Sequence, residues 1–154
     1  MVMFRICCAV VLVLLSLSIS SYSQDHGFGI GMIVGEPTGI SIKGWLNATS
    51  AVDGGLAWSF VKGSSFHIHA DYLLHSFDVF KSTERIPLYY GIGGRIKVSN
   101  SGQSRLGARG VIGLGYIFST APIDLFFEVA PILELAPETD ISINAGLGAR
   151  FYFK

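Results

Sequence analysis

The sequence predicts an all-β fold, a single antiparallel up-and-down transmembrane β-barrel of about eight strands. Three observations lead there. Beyond Gly27 the side chains alternate with a period of two along most of the chain. The alternation puts large apolar residues on one face and glycine, alanine, serine and scattered charges on the other. All nineteen glycines lie beyond residue 23, which disfavours helices through most of that length.

The chain opens with Arg5, an apolar run from Ile6 to Ile19 and the small polar stretch Ser20-Ser21-Tyr22-Ser23. That is the pattern of a secretory signal peptide, and the run is short for a membrane-spanning helix. Ser21 and Ser23 set the cleavage point after Ser23, so residues 1–23 are read as the leader and 24–154 as the barrel domain. Cys7 and Cys8 leave with the leader. The mature chain then has no cystine framework, Cys-zinc site or thiol nucleophile. Eleven basic residues less Arg5 leave ten against eleven acidic ones, with no long charge run, so nucleic acid is not an expected partner. Charged residues are only 14%, apolar residues 50%, and the mean hydropathy is +0.51, oily for a soluble domain.

The clearest strand is Ser65 to His75, where Phe66, Ile68, Ala70, Tyr72 and Leu74 alternate with His67, His69, Asp71, Leu73 and His75. The same division recurs over Ala51 to Val61, Leu88 to Val98, Leu106 to Phe118, Leu125 to Ala130 and Ile141 to Phe153. Two earlier strands, near Gly27 to Val34 and Ile40 to Asn47, are less regular because Ile33 and Trp45 fall on the polar phase. A bulge is the expected reason. Turn-forming residues separate the strands at Glu36-Pro37-Thr38-Gly39, Asn47-Ala48-Thr49-Ser50, Lys62-Gly63-Ser64-Ser65, Ser99-Asn100-Ser101-Gly102, Thr120-Ala121-Pro122 and Ala136-Pro137-Glu138-Thr139. One long connection runs from about Ser76 to Pro87.

Alternation also suits a soluble lipocalin-like barrel, which turns its apolar face inward. Side-chain size decides between the two. An eight-stranded barrel has an interior only just wide enough for side chains. The Phe, Leu, Ile, Val and Trp of the apolar face cannot all fit there, whereas the Gly, Ala and Ser of the other face can. A soluble exterior would also need many more Lys and Glu.

The chain ends on Gly148-Ala149-Arg150-Phe151-Tyr152-Phe153, a Gly-x-x-aromatic-x-aromatic strand followed by Lys154. It resembles the outer-membrane β-signal, which implies that Gly148, Phe151 and Phe153 are read by barrel-assembly machinery. The segments Gly35-Glu36-Pro37-Thr38-Gly39, Ala51-Val52-Asp53-Gly54-Gly55-Leu56-Ala57-Trp58-Ser59-Phe60 and Leu88-Tyr89-Tyr90-Gly91-Ile92-Gly93-Gly94-Arg95 extend the likeness over most of the mature chain. Together they resemble an uncharacterised family of small bacterial outer-membrane β-barrel proteins, similar in architecture to OmpA and OmpX. The resemblance implies fold and location but no reaction and no catalytic residue.

Asp53, His67, His69, Asp71, Arg95, Lys97, Arg109, Glu128 and Arg150 share the lumen phase. Opposite charges in a narrow, poorly hydrated space must pair, so these nine are read as a structural network that plugs the barrel. Arg95 is expected roughly opposite Arg109, with His67 close to Arg95 and with Asp71 and Glu128 neutralising the group. His67-x-His69-x-Asp71 could in principle share a zinc ion, but no third His lies nearby in sequence, and no metal or other cofactor is assigned. A lipid-modifying barrel enzyme is the main rival reading, and the Ser and His it would need are present without a local nucleophile motif. Asn47-Ala48-Thr49 reads as a turn before it reads as a sequon. Gly91-x-Gly93 is a strand feature, since no helix follows it. The expected protein is a monomeric barrel in outer-membrane lipid with both termini in the periplasm and a structural or surface-interaction role. Its lumen is too narrow for porin-like flow.

Overall fold

The computed structural model describes residues 26–59 and 64–153. The segment 1–23 expected to be a leader, Phe60 and Val61 expected to end the third strand, Lys62 and Gly63 of the expected turn, and Lys154 lie outside the described residues. Eight strands follow one another: β1 (Phe28–Glu36), β2 (Thr38–Trp45), β3 (Ser50–Ser59), β4 (Ser65–Ser76), β5 (Leu88–Ser99), β6 (Ser104–Ile117), β7 (Ile123–Ala136) and β8 (Asp140–Phe153). Each pairs antiparallel with the next, and β8 returns to β1, from Phe28 opposite Phe153 to Glu36 opposite Ala145. The result is a closed up-and-down barrel without a free sheet edge, in which every strand is hydrogen-bonded to a neighbour on both sides.

Period two sorts the side chains. On the outward phase β4 shows Phe66, Ile68, Ala70, Tyr72 and Leu74, and β6 shows Leu106, Ala108, Gly110, Ile112, Leu114 and Tyr116. β7 shows Leu125, Phe127, Val129, Pro131, Leu133 and Leu135. Over the outward positions 28–34, 40–44, 52–58, 66–74, 88–98, 106–116, 125–135 and 141–153 there is no Asp, Glu, Lys, Arg or His. Large apolar side chains there are open to the surroundings all the way round, Ile92 at 74% and Ile141 at 73%.

Inside, the barrel is filled. One apolar cluster joins Ile33, Leu73, Tyr89, Val111, Phe126 and Ala130, and a second joins Trp45, Ala51, Ile117 and Tyr152. Ile33 and Trp45 therefore point inward in an unbroken β1–β2 register, so no bulge is needed to explain them. Glycines make the room. A Cβ on Gly148 would overlap the Phe126 ring, and one on Gly93 would overlap the Asp71 carboxylate and the Ala70 carbonyl. The register shift that does occur lies between Leu106 and Gly107 in the β6–β7 pairing.

β7 is longer than the alternation from Leu125 to Ala130 suggests, running through Pro131 to Ala136. Proline removes a ladder donor. Here the β6–β7 ladder skips Gly110–Val111 against Ala130–Pro131, while Pro131 still pairs with Ile143 of β8. The Asn47 carboxamide oxygen accepts from Thr49 N at 3.0 Å and Ser50 N at 2.9 Å, which makes Asn47-Ala48-Thr49 a side-chain-capped turn. The long connection Phe77–Pro87 lies at the end that carries the termini. Its Arg85 and Pro87 carbonyls accept from Ile117 N and Gly115 N, both at 2.9 Å.

Candidate functional site

The lumen-facing positions gather four polar clusters, which succeed one another from the mouth bearing the β5–β6 hairpin towards the end bearing the termini. Near the mouth, Arg95 forms an ion pair with Glu134 and also donates to Ser142 Oγ at 3.2 Å and Asn144 Oδ1 at 3.5 Å. Deeper, Arg109 holds two carboxylates, Asp71 through Nε at 2.7 Å and Glu128 through a terminal nitrogen at 2.7 Å. Tyr89 completes this cluster, its hydroxyl donating to Glu128 Oε2 at 3.2 Å.

Arg150 anchors the third cluster. It donates to Ser41 Oγ at 2.9 Å and Asp53 Oδ2 at 3.1 Å, lies 3.6 Å from Asp124, and its guanidinium sits 3.7 Å from the Phe126 ring centre. Tyr152 adds a hydroxyl donor to Asp124 at 2.8 Å. In the fourth cluster Lys43 Nζ lies 2.8 Å from His75 Nε2 and 4.3 Å from the Trp45 ring centre. His75 turns Nδ1 to the Thr49 carbonyl at 3.3 Å, which leaves Nε2 as the acceptor for the lysine. Cation–π contact thus stands in for a carboxylate directly beside Lys43.

Six of the nine lumen residues expected from the sequence, Asp53, Asp71, Arg95, Arg109, Glu128 and Arg150, lie in these ion pairs. The other three sit differently. His67 is buried with Nε2 against Ser65 Oγ at 3.1 Å and no partner on Nδ1; His69 Nδ1 also has no hydrogen-bond partner. Lys97 is only half-buried, near the rim. The expected register is off by two residues. Arg95 stands opposite Gly107 and Arg109 opposite Gly93, while His69, not His67, faces Arg95 and His67 faces Lys97. The hairpin centre lies one residue earlier than Gly102, which is enough to separate the two arginines.

Ser41, Lys43, His75, Tyr89, Asp124, Glu134, Ser142, Asn144 and Tyr152 also belong to the network. Glu134 carries the larger lesson: continuing the phase Glu128, Ala130, Ile132 past Pro131 arrives at it. Among the described residues no three His, Cys, Asp or Glu side chains converge in a way that could hold a metal ion. Of the proposed assembly strand, Gly148 faces the lumen under Phe126, while the Phe151 and Phe153 rings meet edge-on at 5.1 Å on the outer face.

Fold and interior together define an eight-stranded antiparallel barrel with a paired-charge core and an uncharged outer wall. No family model matches the chain, and no curated protein and no solved structure matches it either.

Proposed function

We propose that this protein is a small integral outer-membrane β-barrel. Its charged lumen network acts as a structural plug, and it serves a structural or surface-interaction role, not one as a channel for large solutes. One observation carries the reading: the outward phase of all eight strands has no charged residue between its end positions, while nine Asp, Glu, Lys and Arg side chains are buried in the lumen. Water would favour the reverse arrangement, because apolar surface seeks burial and buried ions lose hydration. Lipid favours this one, since a closed barrel leaves no backbone group unpaired in hydrocarbon. The aromatic residues Phe28, Tyr90, Tyr116, Phe151 and Phe153 lie on the outer wall towards the termini-bearing end, where a membrane barrel places an interfacial girdle.

On this reading residues 1–23 direct secretion, assembly machinery reads the β8 terminus through Gly148, Phe151 and Phe153, and the monomeric barrel sits in outer-membrane lipid. The filled interior, with Leu73, Tyr89, Ile132 and Arg150 almost fully buried, supports a plug over a pore. Membrane fractionation of producing cells tests the proposal. The protein should enter the outer-membrane fraction and migrate differently before and after boiling in SDS. Recovery in the soluble periplasmic fraction would overturn it.

A further inference from the structure

Charge matching ends at the hairpin-side mouth. Deeper in the lumen Lys43, Arg109 and Arg150 stand against Asp53, Asp71, Asp124 and Glu128, three cations to four carboxylates. At the mouth Arg95, Lys97 and Arg105 stand against Glu134, three cations to one. Lys97 and Arg105 are direct cross-strand partners on β5 and β6, and His67 of β4 faces Lys97 from the other side. Like charges directly opposite each other repel and destabilise a sheet. Both side chains are half-buried, and among the described residues neither has an ion-pair partner.

Polar atoms around them are also unpaired. Arg95 Nε and His67 Nδ1 are buried without hydrogen-bond partners, and so is the Ser59 hydroxyl, on a residue paired with Ser65. Buried polar groups in folded proteins are normally satisfied, so a group of orphans beside excess positive charge marks a place for something else to bind. Carboxylates at this end lie on the remaining arc of the rim: Glu36 in the β1–β2 hairpin, and Glu138 and Asp140 in the β7–β8 hairpin. The basic arc on β4 to β6 is therefore one-sided.

We propose that this arc is an anion-binding vestibule, in which Lys97 and Arg105, backed by Arg95 and His67, take a phosphate-class oxyanion at the mouth of the barrel. Guanidinium and ammonium groups on directly opposed strand positions suit a tetrahedral oxyanion, and low-dielectric walls strengthen the attraction. The phosphate group can come from a free solute or from a lipid headgroup. The proposal needs the barrel and its mouth but not the membrane, so a barrel that proves soluble can be titrated in buffer alone.

The full barrel, refolded in a neutral maltoside detergent, is titrated with inorganic phosphate by calorimetry. A parallel arm places it in nanodiscs of phosphatidylcholine with or without phosphatidylglycerol. Saturable phosphate binding that Lys97→Gln/Arg105→Gln weakens about tenfold or more supports a free-anion site. A headgroup site is supported if only phosphatidylglycerol discs show an effect lost in that variant. Since both side chains are half-exposed, the variant should keep the parent's heat-dependent migration, which separates lost binding from lost fold. Absence of a response in both arms, or equal binding by parent and folded variant, overturns the proposal.

Discussion

Replacing Glu128 by Ala tests whether the lumen charges hold the barrel together. The carboxylate accepts from Arg109 at 2.7 Å and from the Tyr89 hydroxyl at 3.2 Å, and it is 4% exposed. A hydrogen bond to a charged group contributes about 1.5–3 kcal/mol, and an orphaned buried hydroxyl costs about 1–3 kcal/mol. Arg109 keeps Asp71 at 2.7 Å, so its charge is not left wholly unpaired and the full penalty of a broken buried pair does not apply. The expected loss is about 3–5 kcal/mol, including the space the side chain vacates. Urea refolding titrations in detergent or lipid, followed by the fluorescence of Trp45 and Trp58, would read it. In a Tyr89→Phe background, where no hydroxyl can be orphaned, the same substitution should cost about 1 kcal/mol less. A Glu128→Ala barrel within about 0.5 kcal/mol of its parent would refute the reasoning, because that is the scatter of neutral surface changes.

On the outer wall, Leu114→Arg should reduce the folded, heat-shifting fraction and cost about 2–4 kcal/mol in a refolding titration if the side chain faces the bilayer midplane. Gly93→Ala should block or strongly impair refolding, since its Cβ meets Asp71 and the Ala70 carbonyl. Gly94→Ala should be tolerated, its nearest neighbour being the Gly107 carbonyl at 3.8 Å; heat-shift gels compare the two. His67→Ala and His69→Ala should leave the outer-membrane lipid profile unchanged by mass spectrometry, whereas loss of a lipid modification in either would favour the enzyme reading.

Strand number, order and facing were legible because period two is a local signal, and each turn carried glycine, proline or asparagine. The ends of β7 were not. Pro131 reads as a strand breaker, and only the cross-strand geometry reveals that the β6–β7 ladder has a gap there, so Glu134 stayed hidden. Lys43 and Trp45 were obscured differently, since an apolar lumen residue breaks the alternation while fitting the packing. Which charges meet depends on register. Moving a hairpin centre by one residue slides the paired strands by two, keeping every side chain on its face while changing its partner, as with Arg95 and Arg109.

The most direct test of the central claim, that the uncharged wall faces lipid and the charged wall faces inward, is quencher accessibility at two positions of one strand, one midway along the apolar wall and one at the rim. Spin labels are placed singly at Leu114 and at Ser104, the outward and near-rim positions of β6, in the barrel reconstituted in bilayers. The account predicts that oxygen dissolved in lipid relaxes the Leu114 label far more than a water-soluble nickel chelate does, with the preference reversed at Ser104. A Leu114 label reached by the nickel chelate and shielded from oxygen would contradict it.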